Sequence, residues 1–371
     1  MSLVLEVADN WSNKILDTLQ RFPLASISSF IVTFLLILIV ESNNFVSSNF
    51  MLIVYKVTFV STLGIFLFPA LHLLSKRIWL KIFALLLLAL YYYLLPLNIL
   101  EPTIMVRHGL LLLALSFMFF WAPFMDIRIS NQNIWEWTQN ILLILLADIL
   151  LSITFYLMFF GTMYSIENLF GFVLATKYYW EVVIAIIGLF SVNYFLGHLP
   201  KYIMLLQKNR YANIGAVFTK YILTPIFLIY FLLLCAYIVK IVLEKSWMSS
   251  NIDSISVGYV VIAIATYMYW TPLWDEANKN FRTLIWGSMF LLSIALGLSI
   301  WLHLESKNME EYYLMMLFTS WLALMSIYFL FVKEASYKWL FFSISFFIVI
   351  SQSEQVIDLS VNFFDKVSTM I

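Results

Sequence analysis

The stretch from Asn140 to Gly171 reads NILLILLADILLSITFYLMFFGTMYSIENLFG. It opens as an apolar helix with a single acid, Asp148, near its middle. It closes as an aromatic segment bounded by Gly161 and Gly171. A carboxylate at bilayer depth is costly, and acids found there face protein or a water-filled cavity rather than lipid. The stretch therefore predicts a membrane helix with Asp148 turned inward and the other apolar segments packed around it.

The rest of the chain has the same character. Hydrophobic residues fill 63% of the 371 positions and charged residues only 11%, and the mean hydropathy is +0.93. A soluble domain carries about 25% charged residues, so this chain has too little polar surface to cover a water-soluble globule. Its 21 basic and 21 acidic residues cancel. No block of either sign occurs, which excludes the concentrated cationic face that nucleic-acid binding requires. The single cysteine, Cys235, allows neither an intramolecular disulfide nor a thiolate metal cluster. The four histidines, His72, His108, His198 and His303, stand far apart, and none has metalloprotease spacing. Phosphate-cradling loops, dinucleotide fingerprints and nucleophile elbows are missing as well. The sequence names no catalytic residue, no metal site and no cofactor.

A membrane-crossing helix needs about 20 mainly apolar residues. The candidates are 24–40, 50–73, 78–99, 105–124, 141–160, 181–197, 219–240, 256–272, 283–303, 312–332 and 338–350. The fold class read from this pattern is all-α, a polytopic bundle of about 11 spans joined by short loops. The segments at 181–197, 256–272 and 338–350 are short for full crossings. Lys and Arg concentrate in alternate loops, most clearly at Lys76-Arg77 and in the 198–220 loop. The positive-inside rule then puts the N-terminus in the cytoplasm. Residues 1–22 carry apolar side chains at Leu3, Val7, Trp11, Ile15 and Leu19, the pattern of an amphipathic helix lying in the interface. Residues 23–371 read as one membrane domain, since no repeat or long polar linker divides them. Aromatic clusters at the predicted span ends, among them Trp121, Trp135, Trp137 and Trp180, fit interfacial belts.

Two ionisable residues lie well inside predicted spans, Asp148 and Lys56. They form the expected polar centre of the membrane domain. Lys56 either snorkels to the surface or pairs with Asp148 if their helices are neighbours. Glu167, Arg107 and Glu41 are the candidates for a cavity mouth. The segment Gly161–Gly171 reads as a re-entrant hairpin or a short interfacial helix, and residues 131–139 as an interfacial lead-in. Pro225, a turn or two inside its span, is the candidate hinge or fixed bend.

Several phrases in order resemble a bacterial family of multi-pass membrane proteins known as domain of unknown function 4153. They are RFPLASISSFIVTFLLILIVE from Arg21, TFVSTLGIFLFPALHLL with Gly64 and Pro69, GTMYSIENLFG from Gly161, FLGHLP from Phe195 and KYILTPIFLIYFLLLCAYIVKI from Lys220. MEEYYLMMLFTSWLALMSIYFLF resembles the family's Thr-Glu-x-Arg-Tyr helix, although Met309 and Tyr312 replace its Thr and Arg. The resemblance implies a helical protein of the bacterial cytoplasmic membrane and carries over no catalytic residues. Together these readings predict a transporter-like or cavity-forming protein in a lipid bilayer, taking a lipid or small polar ligand. One alternative is an enzyme acting on a lipid-linked substrate at the outer face through Glu41 or Glu167 with Arg107. The other is a non-catalytic assembly partner of another membrane protein.

Overall fold

The computed structural model describes residues 16–42, 48–126, 129–171, 173–200, 213–244, 252–273, 279–302, 309–332 and 334–352. Residues 1–15 of the interfacial helix expected over residues 1–22, and the centre of the 198–220 loop, lie outside them. His303 does too.

Among the described residues no strand occurs. From Pro23 onward the helices are α1 (Pro23–Glu41), α2 (Ser48–Leu74), α3 (Ile78–Leu94), α4 (Pro102–Trp121), α5 (Asn131–Phe170), α6 (Thr176–His198), α7 (213–244), α8 (Ile252–Tyr269), α9 (Lys279–Leu302), α10 (Met309–Phe331) and α11 (Tyr337–Ile350). Pro23 and Pro102 open α1 and α4, where a missing N–H has no helical partner to lose. Among the described residues eight helices are long and apolar enough to cross a membrane: α1, α2, α4, α5, α6, α7, α9 and α10. Three more, α3, the apolar part of α8, and α11, are apolar but shorter.

Three expectations about individual segments change. The helix expected over 78–99 stops at Leu94, because Leu95 takes an extended conformation (ψ 124°) ahead of Pro96; a residue before proline avoids the helical region. The segment expected at 181–197 is longer, running from Thr176 to His198. Residues 131–139 and 161–170 are the two ends of one helix, α5, of 40 residues, roughly 60 Å at the helical rise. It ends at Gly171, whose φ of 69° is the left-handed stop that glycine supplies without strain.

The aromatic residues divide between two environments. Trp180 and Tyr93 are exposed, as an interfacial belt requires. Trp135 and Trp137 are each only 1% exposed, and Trp121 is buried. The indole of Trp137 donates to the carbonyl of Phe119 at 2.9 Å, and Trp135 packs edge-on against Tyr269, 4.8 Å between centroids. These tryptophans are core residues.

The described residues fall into two compact units, residues 16–126 with 137–200 and residues 129–136 with 213–352. In the first unit α1 packs on α2 through small residues. A Cβ on Gly64 would lie 2.7 Å from Ser28 Oγ, the close approach that drives helix association in lipid. α2, α3 and α4 are joined by His108, which is buried. Its Nε2 is 2.9 Å from Thr62 Oγ1 and its Nδ1 2.9 Å from the Tyr91 hydroxyl. Thr62 already spends its hydrogen on the Phe59 carbonyl at 2.7 Å. Nε2–H must therefore donate to Thr62, and Tyr91 must donate to Nδ1. That chain of donors requires the neutral Nε2–H ring.

In the second unit, Trp286 stacks on Phe329 at 4.1 Å with the rings 3° from parallel. Tyr267 meets both edge-on. Asn131 caps α11 from outside it, accepting from the Tyr337 N–H at 3.1 Å and donating to the Ala335 carbonyl at 2.7 Å.

Candidate functional site

The arrangement around Asp148 begins with the surface of α5. Leu142, Leu145, Ile149 and Ile153 point outward. Ile141, Ile144, Asp148, Leu151, Ser152 and Phe155 form the less exposed stripe, at the three- and four-residue spacing of one helical face. Asp148 lies on that stripe and is only 6% exposed. It faces protein, as the cost of a lipid-facing carboxylate demands.

Its partner is Ser191 of α6, whose hydroxyl donates to Asp148 Oδ2 at 2.6 Å. Ser191 closes a π-helical turn, Ile186–Ser191, set into the otherwise α-helical α6. Within it the N–H of Val192 reaches back five residues to Ile187. Such bulges are often found at functional positions because they re-aim side chains and carbonyls. The other carboxylate oxygen, Oδ1, is buried without a hydrogen-bond partner, and so is Ser152 Oγ one turn along α5. Phe155 packs edge-on against Phe190, 4.6 Å between centroids, beside this pair. His198, two turns beyond Ser191, is near enough to act electrostatically on Asp148. Its Nδ1 is 2.7 Å from the Tyr194 carbonyl, which makes Nδ1 the protonated nitrogen and turns Nε2 away from that carbonyl.

The other contacts of α6 explain why it holds this position. α1 and α6 run antiparallel and are bonded along their length. At one end Arg21 donates to the carbonyls of Leu199 and Pro200 at 2.7 and 2.9 Å. Burial pushes its guanidinium pKa down and Asp17 opposes the shift. In the middle Ser26 donates to Asn193 Oδ1 at 3.0 Å, Asn193 to the Leu189 carbonyl at 2.7 Å, and Ser29 to the Gly188 carbonyl. At the other end Lys177 and Glu41 form an ion pair at 2.7 Å.

Lys56 and Asp148 are not brought together. The Lys56 ammonium donates to the carbonyl of Leu95 at 2.6 Å and lies over the Tyr92 ring at 5.6 Å. It caps the end of α3, whose last carbonyls lack helical donors because Pro96 follows. Among the described residues no Lys or Arg forms an ion pair with Asp148. Glu167 is a local staple, accepting from the Leu174 N–H at 2.8 Å across the Gly171 stop. Arg107 is exposed on α4, and Glu41 is engaged by Lys177. The expected mouth residues are thus distributed among separate roles. Pro225 is exposed and stands two residues past a second π turn, Thr219–Leu223. There Thr224 donates to the Thr219 carbonyl at 2.8 Å and accepts from Trp270 Nε1 at 2.8 Å.

Sequence reasoning missed Ser191, Ser152, His198 and Lys177 as neighbours of the named residues. Two larger grooves also stand open: about 420 Å³ in the first unit, lined by Ile27, Val60, Ser61, Leu88 and Tyr92 among others, and about 350 Å³ in the second, with Ser256, Phe318 and Phe347 among its lining residues. Asp148 lines neither. Among the described residues no group of three or more His, Cys, Asp or Glu side chains is placed to hold a metal ion. No family model, curated protein or solved structure matches this chain.

Proposed function

We propose that this chain is a multi-pass transporter-type protein of the bacterial cytoplasmic membrane in which Asp148 takes up and releases an ion, the proton included. The observation that carries the reading is the buried Asp148 carboxylate, held by Ser191 at one oxygen and unpartnered at the other. A charge so placed is balanced by a partner, by a proton or by a bound cation. Lys56 is committed to Leu95 and His198 acts on Asp148 only at a distance, so the reading rests on the proton and the bound cation. The π turn in α6 supports the same reading, since rewinding it would shift Ser191 relative to Asp148. Glu41 is occupied by Lys177, which weighs against its use as a catalytic acid.

The fuller topology belongs to the same proposal: eleven spans, counting α3, α8 and α11, with the N-terminus in the cytoplasm. Its support is the gathering of Arg21, Lys76 and Lys81 around His72 at one end of the first unit. Membership in the family whose phrases the sequence resembles is likewise proposed.

The test is ion movement in proteoliposomes carrying pH- and Na+-sensitive dyes, comparing the wild type with a folded Asp148→Asn protein. Asp148→Asn should abolish the flux. Undiminished flux in that variant would refute the reading. Single-cysteine labelling in the same vesicles, with Cys235 replaced, reads the orientation, and modification of a residue-76 cysteine only from the outer face would overturn it.

A further inference from the structure

We propose that Asp148 and Ser152 of α5, positioned by Ser191 of α6, form a binding site for a monovalent alkali cation. This deepens the reading of Asp148 as an ion-handling group and rests on it.

The first argument is the conduct of Ser152. Hydroxyls on a membrane helix normally bond the carbonyl four residues back. Three others on α5 do so: Thr154 to Leu150 at 2.8 Å, Thr162 to Met158 at 2.9 Å and Ser165 to Gly161 at 2.7 Å. Ser152 makes no such bond to the Asp148 carbonyl, and its oxygen is buried without a partner. Residues four apart share a helical face, so the Ser152 hydroxyl lies on the same face as Asp148, whose Oδ1 is also buried and unpartnered. The two are not hydrogen-bonded to each other. Two buried oxygens on one face, unbonded to each other or to the backbone, are what a cation between them would satisfy. Ser191 engages Oδ2 at 2.6 Å and fixes the orientation of the carboxylate.

The donor set selects the class of ion. All the atoms are oxygens, which suits a hard cation and not a thiolate- or imidazole-seeking metal. A single carboxylate balances a single positive charge. Calcium sites usually include several carboxylates, and no cluster of three acids, histidines or cysteines is placed for one among the described residues. Asp148 is only 6% exposed, which makes an uncompensated charge there costly and a matched ion favourable.

The experiment measures thermal unfolding of the full purified chain in detergent against NaCl, KCl and choline chloride at matched ionic strength. NaCl or KCl should raise the unfolding midpoint by a few degrees where choline does not. Ser152→Ala should require about tenfold more of the effective cation, and Asp148→Asn should lose the response. Equal effects of all three salts, no response in the wild type, or an unchanged response in Ser152→Ala would each overturn the site. Ser152→Ala keeps the test decisive if Asp148→Asn does not fold. Loss of vesicle flux in Asp148→Asn with no cation response would overturn this site and leave the proposed function standing on the proton. A cation response lost in both variants, with Asp148→Asn flux intact, would uphold the site and refute transport.

Discussion

Gly188 is the tightest point between α1 and α6, and substituting it tests whether that seam holds the first unit together. A Cβ built on Gly188 would collide with Thr33 Oγ1 and lie 3.1 Å from Thr33 Cβ. Thr33 is buried, and its hydroxyl is committed to the Ser29 carbonyl at 2.9 Å. Ser29 in turn donates to the Gly188 carbonyl. In Gly188→Ala either Thr33 rotates, losing its bond, or the helices separate, losing the Ser29 bond. Overpacking costs about 1–3 kcal/mol and the lost hydrogen bond about 1 kcal/mol. Against that, alanine gains about 1 kcal/mol of helix propensity, so the net loss is roughly 1–3 kcal/mol. Gly161 supplies the opposite sign: a Cβ there meets nothing within 4 Å, so Gly161→Ala should stabilise by up to about 1 kcal/mol. Unfolding in mixed detergent micelles reads both. Thr33→Ala should recover most of the Gly188→Ala loss, because it removes the colliding hydroxyl. Gly188→Ala as stable as the wild type, or a double variant no better than the single, would refute the reasoning.

The separation of Lys56 from Asp148 predicts that Lys56→Met and Asp148→Asn add in stability to within about 0.5 kcal/mol; a coupling above about 1 kcal/mol in the same unfolding assay would restore the ion pair. The His108 chain of donors predicts that His108→Phe costs about 1–3 kcal/mol by stranding the Tyr91 hydroxyl. Tyr91→Phe should then cost almost nothing further in the His108→Phe background, and full additivity of the two would show that the chain does not act as a unit.

Asp148 was legible from sequence because an acid in an apolar run is rare enough to be read by itself. Its surroundings were not. Ser191 and His198 lie some forty and fifty residues away on another span, and hydropathy carries no information about which spans touch. The π turn of α6 is equally silent, since one extra residue in a helical turn leaves IIGLFS looking like ordinary helix. Lys56 was visible as a charge, but its acceptor is a backbone carbonyl exposed by Pro96, and carbonyls have no signature. Trp135 and Trp137 misled because tryptophan prefers both interfaces and well-packed cores. The proline before which α3 ends was there to be read, and the expected helix overran it.

The polar groups of the first unit divide by whether their bonds are complete, and that division argues for function. In lipid no hydrophobic force draws helices together, so small residues and interhelical hydrogen bonds do so. Arg21, Ser26, Ser29 and Asn193 each find a partner across the α1–α6 seam, and Thr62, Tyr91 and His108 satisfy one another across α2, α3 and α4. Those groups are accounted for by assembly alone. Asp148 and Ser152 differ from them: each buries an oxygen that bonds nothing. A buried oxygen left without a hydrogen bond bears a desolvation cost that the Ser191–Asp148 bond does not remove. The ion site proposed for Asp148 and Ser152 would offset that cost.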